Sequence, residues 1–157
     1  MRAWLWLSLL ILILDQASKR VVDQSMALYE TIPLLPMFQL TYLQNQGAAF
    51  SFLSGAGGWQ RWFFITLAVA ASLFILRVLK QLPRERVLEA SAWSLVLGGA
   101  LGNLIDRILY GYVIDFLDVF YGNWHWPAFN LADSAITVGV ALLLVDSLKG
   151  HSDPKST

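Results

Sequence analysis

The sequence predicts an all-α membrane protein: four transmembrane helices with a small extracytoplasmic β-sheet subdomain, in one integral membrane domain spanning residues 1–157. Three observations predict it. The chain is 57% hydrophobic and only 14% charged, whereas a soluble domain averages about 45–50% apolar and about 25% charged. So few charges would not cover a water-soluble globule, and so much apolar surface excludes disorder. Four stretches, Ala3 to Leu14, Trp62 to Leu76, Ala90 to Ile105 and Ser134 to Val145, contain no Asp, Glu, Lys or Arg. The cations gather on one side of those stretches.

Each uncharged stretch is shorter than the ~20 residues that cross the hydrocarbon core, so the flanks must contribute. The spans are predicted at about 3–22, 59–79, 88–108 and 130–148. The first begins like a secretory signal, with Arg2 before an apolar run, but no small-x-small cleavage site follows. Asp15-Gln16-Ala17-Ser18-Lys19 follows instead, and the span is expected to be retained. Asp15 and Lys19 are four apart, on one helical face, so the cation is placed to compensate a carboxylate at membrane depth. Between the first two spans, Thr31 to Gln60 has no charge, but Pro33, Pro36, Gly47, Gly55, Gly57 and Gly58 argue against a helix. Phe38-Gln39-Leu40-Thr41-Tyr42 alternates apolar and polar, the mark of a half-buried strand. Ala48 to Leu53 is its expected partner across a Gln44–Gly47 turn, in a β segment over about 31–58. Gly55, Gly57 and Gly58 are expected hinges for its movement. In the third span, Gly98 and Gly102 make a small-residue face for close helix packing. Trp59, Trp62, Trp93, Trp124 and Trp126 near span ends fit an interfacial aromatic belt without any ligand role.

Orientation follows from the cations. Arg2, Arg77, Lys80, Arg84, Arg86, Lys149 and Lys155 share one side, assigned to the cytoplasm with both termini. Asp15, Asp23, Glu30, Asp106, Asp115, Asp118 and Asp133 fall in or near the outer half, where the chemistry is expected. Eleven basic and eleven acidic residues leave a formal charge of zero, which removes the case for nucleic acid. With no cysteine, disulfides, thiolate metal sites and a cysteine nucleophile are impossible. His125 and His151 are the only histidines, which leaves a serine triad or a zinc site poorly supplied.

Several polar positions in the spans or near their ends need explaining. Asn103 shares a face with Asp106 and Arg107, and hydrogen bonds tying span to loop explain Asn103 and Asp106 better than direct chemistry does. Asp115 lies in an apolar context, Gly111-Tyr112-Val113-Ile114-Asp115-Phe116. Asp133 begins the fourth span with Asn130 one turn earlier; helix capping is its plain explanation. Asp118 reads as a solvated neighbour of Asp115. If Asp115 and Asp133 meet, they share one proton, the ionised member activating water and the neutral one donating to the substrate. A small transporter or a structural subunit also fits the spans and acids at this stage.

The segments Asp15-Gln16-Ala17-Ser18-Lys19, Asn45-Gln46-Gly47-Ala48-Ala49-Phe50, Gly98 to Arg107, Val113-Ile114-Asp115-Phe116 and Phe129-Asn130-Leu131-Ala132-Asp133 together resemble the bacterial lipoprotein signal peptidases, signal peptidase II, over nearly the whole chain. The resemblance implies an aspartic endopeptidase of the bacterial cytoplasmic (inner) membrane. Such an enzyme removes the signal peptide of diacylglyceryl-modified prolipoproteins, cutting before the lipidated cysteine. It implies that Asp115 and Asp133 are the catalytic dyad, with Asn103, Asp106 and Asn130 keeping the site polar. Asp15, Lys19 and Asn45 would support the site near substrate, and Arg107 would be a structural or substrate-facing cation. It further implies no metal and no cofactor, and inhibition by globomycin-type cyclic peptides; a monomer surrounded by membrane lipid is the default expectation.

Overall fold

The computed structural model describes residues 2–47 and 57–150. In chain order its elements are α1 (Arg2–Ser25), β1 (Thr31–Leu35), β2 (Phe38–Asn45), α2 (Trp59–Gln81), α3 (Val87–Leu109), β3 (Val113–Tyr121), β4 (Trp124–His125) and α4 (Leu131–Gly150). Each helix contains or closely matches a predicted span. Among the described residues, α2, α3 and α4 are long and apolar enough to cross a membrane. Helix α1 is as long, at 24 residues, but carries Asp15, Lys19, Arg20 and Asp23 in its second half.

The small residues of α3 place it at the centre of the bundle. Ala90, Ala92, Ser94, Gly98, Gly99 and Gly102 are all buried, and their lack of bulk lets neighbouring backbones approach. A methyl group at Gly98 would strike Ser8 and Ile11 of α1, one at Gly102 would strike the Asp15 carboxylate, and one at Gly99 would strike the Ala132 carbonyl of α4. The Gly98–Gly102 face is therefore where α1 lies. On the far side of α3, Ile75 and Leu79 of α2 pack with Ala90 and Leu97. Outward-facing positions of the bundle are apolar: Trp62, Leu67, Leu73, Phe74, Val138 and Leu144 are all exposed. A contiguous belt of that kind needs an apolar solvent. At the end of the bundle away from the sheet, Arg86 pairs with Glu89 at 2.9 Å and Asp146 at 2.6 Å, tying the α2–α3 loop to α4.

The sheet is larger than expected. Its order is β1-β2-β3-β4, antiparallel throughout. Strand β2 lies between β1 and β3, so its partners are Thr31–Leu35 and Val113–Tyr121. The expected partner, Ala48 to Leu53, and the Gly55 hinge lie outside the described residues. Gln44 and Asn45 belong to β2 rather than to a turn. The β3 strand carries no period-two signal because its first four residues are buried on both sides. A register shift places three steps of β2 (Leu40 to Leu43) against two of β3 (Leu117 to Asp115), a bulge that bends the pair beside Asp115. Val22 and Met26 at the end of α1 pack on Tyr42, Ile114 and Phe116 of the sheet.

Candidate active site

Between the helical bundle and the sheet lies a polar layer built from four elements. Its foundation is Lys19, 2% exposed, with Nζ 2.8 Å from Asp15, 2.9 Å from Asp106 and 2.9 Å from the Asn103 side-chain oxygen. A buried ammonium needs this much compensation. Both acids then reach further. Asp15 Oδ1 accepts the backbone N–H of Ala132 in the first turn of α4 at 2.9 Å. Asp106 accepts from Gln16 at 2.9 Å and from the backbone N–H of Ile114 at 3.2 Å, fixing the start of β3. The expected tie from span to loop thus describes what Asp106 does. Arg107, adjacent in sequence, points elsewhere: it donates to the Gly47 carbonyl at 2.9 Å and its guanidinium lies 4.9 Å from the Phe64 ring centre.

Two asparagines carry this framework to Asp115 and Asp133. Asn103 donates to Asp133 at 2.8 Å. Fully buried Asn130 donates to Asp115 at 2.8 Å and to Asn103 and the Ile114 carbonyl at 3.3 and 3.2 Å. Asn45 of β2 donates to the other Asp115 oxygen at 2.9 Å. At the head of α4, the Asn130 side chain accepts the Asp133 N–H at 2.9 Å and Asp133 accepts the Asn130 N–H at 3.3 Å. This reciprocal arrangement is a capping box, so Asp133 does cap the helix, while its other carboxylate oxygen takes the Asn103 bond.

Asp115 and Asp133 line one cavity of about 580 Å³, together with Asn45, Asn103 and Arg107. Its wall continues along α4 through Ile136, Thr137 and Val138 and is closed by Trp126 to Phe129. Burial, then the nearby charge of Asp133, pushes the Asp115 carboxyl up to about 7, against the hydrogen bonds from Asn45 and Asn130 that favour its ionised form. Of the residues expected at the site, Asp115, Asp133, Asn45, Asn103 and Arg107 line this one cavity, and Asn130 links Asp115 to Asn103 behind it. Asp15, Lys19 and Asp106 form the layer beneath.

Three features were not expected. Trp126, assigned to the aromatic belt, lines this cavity. Gln16, quoted only as part of a motif, bonds Asp15, Asp106 and the Gly102 carbonyl. Asp118 is not solvated: it is 5% exposed, and accepts from Gln39 at 2.6 Å and Thr41 at 3.0 Å while sitting 3.0 Å from His125 Nδ1. Its register opposite Gln39 in β2 was the missing information.

A family model described as Signal peptidase (SPase) II matches residues 7–149. The chain is similar to the lipoprotein signal peptidase of Alteromonas mediterranea, 56% identical over 153 residues that cover 98% of this chain and 84% of that protein. It is similar also to the lipoprotein signal peptidase of Pseudoalteromonas translucida, 58% identical over 149 residues, 95% of this chain and 90% of that one. A solved structure described as a bacterial membrane enzyme superposes with a TM-score of 0.90 at 30% identity, covering 100% of this chain and 94% of the other. Agreement at that level, in sequence along nearly the whole chain and in the course of the backbone, means that the chain belongs to the signal peptidase II family.

Proposed function

We propose that this chain is an intramembrane aspartic endopeptidase. In this reading it removes the signal peptide from diacylglyceryl-modified prolipoproteins, cutting before the lipidated cysteine. The observation that carries it is the pair of carboxylates on one cavity wall: Asp115 from the sheet and Asp133 from the head of α4, joined through Asn130 and Asn103. Two acids that interact there share a proton. In the reactive form Asp115, raised to about 7, carries that proton as the general acid, and Asp133 takes the part of general base. Asp133 takes a proton from water as the oxygen attacks the scissile carbonyl, and Asp115 donates its proton to the carbonyl oxygen. The tetrahedral adduct collapses as the proton on Asp133 passes to the leaving amine and the adduct hydroxyl returns its proton to Asp115. The cysteine's acyl chains, each buried CH₂ worth ~0.8 kcal/mol, anchor the scissile bond at the interface, and positioning supplies much of the rate.

The remaining parts of the reading follow from that placement. Helix α1 is the fourth span, its charges neutralised internally by the Lys19 cluster. The chain is one integral domain and a monomer in the bacterial inner membrane, with both termini cytoplasmic and the sheet outside. Globomycin-type cyclic peptides compete for the cavity, and no metal or other cofactor takes part. The test is cleavage of a diacylglyceryl prolipoprotein peptide by purified protein in detergent. Asp115→Asn and Asp133→Asn are each expected to lower the rate by ~10²–10⁴-fold while a thermal melt shows them folded. Cleavage should survive chelators and serine reagents. Substantial activity in either folded variant would end the dyad assignment.

A further inference from the structure

Asp115 and Asn45 belong to the walls of two cavities. The larger runs along α4, where Ile136 and Val138 give it an apolar side. The smaller, about 300 Å³, runs from Asp115 and Asn45 past Leu43 to Gln44 and Tyr29. Leu43, Pro127 and Ala128 also line a third hollow of about 360 Å³, which opens between Thr31, Thr41 and His125. The last two adjoin at Leu43, Pro127 and Ala128, and no residue of α4 lines either, so together they make a trough that leads from Asp115 over the sheet.

Beside Leu43, Pro127 and Ala128, the polar side chains of the trough are fixed in place. The Asp118 carboxylate, buried beneath it, is already engaged by Gln39, Thr41 and His125. Burial alone would raise its carboxyl, but these bonds together outweigh that and hold it below the usual carboxylate range. Asp118 is thus no free ligand; it is the anchor that orients Gln39, Thr41 and His125. Phe120 stacks on the His125 ring at 5.5 Å and limits it further. Polar groups held in advance in this way bind at a low entropic cost.

A polypeptide cut at Asp115 has two arms. An apolar signal segment matches the cavity beside α4, and the other arm must run toward water. Resting on the peptidase reading above, we propose that the trough from Asp115 past Leu43 to His125 binds the first few residues following the lipidated cysteine, as an extended polar segment. The chain then reads the start of the mature polypeptide as well as the signal sequence.

Two synthetic substrates test this, identical through the lipidated cysteine. One is amidated immediately after it, and the other continues for several polar residues. The ratio of their kcat/KM values is measured within each enzyme. The unaltered enzyme is expected to favour the longer substrate by about tenfold through KM, the effect of one or two hydrogen bonds. His125→Ala, and Thr31→Trp, which fills the trough, are expected to bring the ratio to within about twofold of unity. His125→Gln, which restores a hydrogen-bonding group, is expected to recover the preference. A ratio near one in the unaltered enzyme, or one that both variants leave intact, overturns the trough. Cleavage of neither substrate by the unaltered enzyme instead overturns the peptidase reading, and the trough with it.

Discussion

At Asp115, burial and the charge of Asp133 lift the carboxyl to about 7, whereas the unfolded chain ionises near 3.8. Below about pH 3.8 both states are protonated and the group imposes no penalty. Between there and about 7 the unfolded state ionises first, so the folded state loses stability as pH rises, by at most ~4 kcal/mol for a shift of about three units. Asp115→Asn has no charge to form. It is expected to melt above the unaltered protein at pH 8, with the gap closing toward pH 4; the same proton should give kcat/KM an alkaline limb near 7. Melting curves and rates across that range check both, and a gap independent of pH would contradict the assignment. Asp118 responds in the opposite sense, because its partners favour the ionised form. The contrast also shows why only one of the two acids stood out in advance. An acid amid Val113, Ile114 and Phe116 is conspicuous in sequence. Two of the three side chains that engage Asp118 come from 77 and 79 residues away, and nothing local points to them.

Helices were legible at the level of elements because an apolar run of membrane length has little else to form in so hydrophobic a chain. Strand β3 was not, since alternation is lost when both faces are covered, and the bulge opposite it has no sequence signature here. Helix α1 shows the opposite difficulty: its charges look unsuited to a span until Lys19 is seen between Asp15 and Asp106. Lys19→Met would leave both carboxylates buried without a counter-charge. A loss of ~3–5 kcal/mol is expected, read as a lower detergent melting temperature and a poorly formed site. A melt equal to that of the unaltered protein would mean that the cluster contributes no net stability. Because Asp15 also holds α4 and Asp106 holds β3, the damage should reach Asp115 and Asp133 without touching either.

For the molecule as a whole, the sheet and the polar layer lie at one end of the bundle and the Arg86–Asp146 tie at the other. The absence of native cysteine makes the orientation directly measurable. In intact inner-membrane spheroplasts, a single cysteine at Asn123, in the β3–β4 turn, should react with an impermeant maleimide. One at Arg84, in the α2–α3 loop, should react only after the membrane is opened. The reverse pattern would place the cavity on the cytoplasmic side and remove its access to exported substrates.

The bond between Asp15 and the Ala132 amide joins groups 117 positions apart. During synthesis the first is made long before the second. Until the last helix is threaded, the Asp15 oxygen has no α4 amide to meet and Asp133 has no fixed place. A chain in which α4 has not yet been made would therefore lack the fixed Asp133 that the proposed dyad needs.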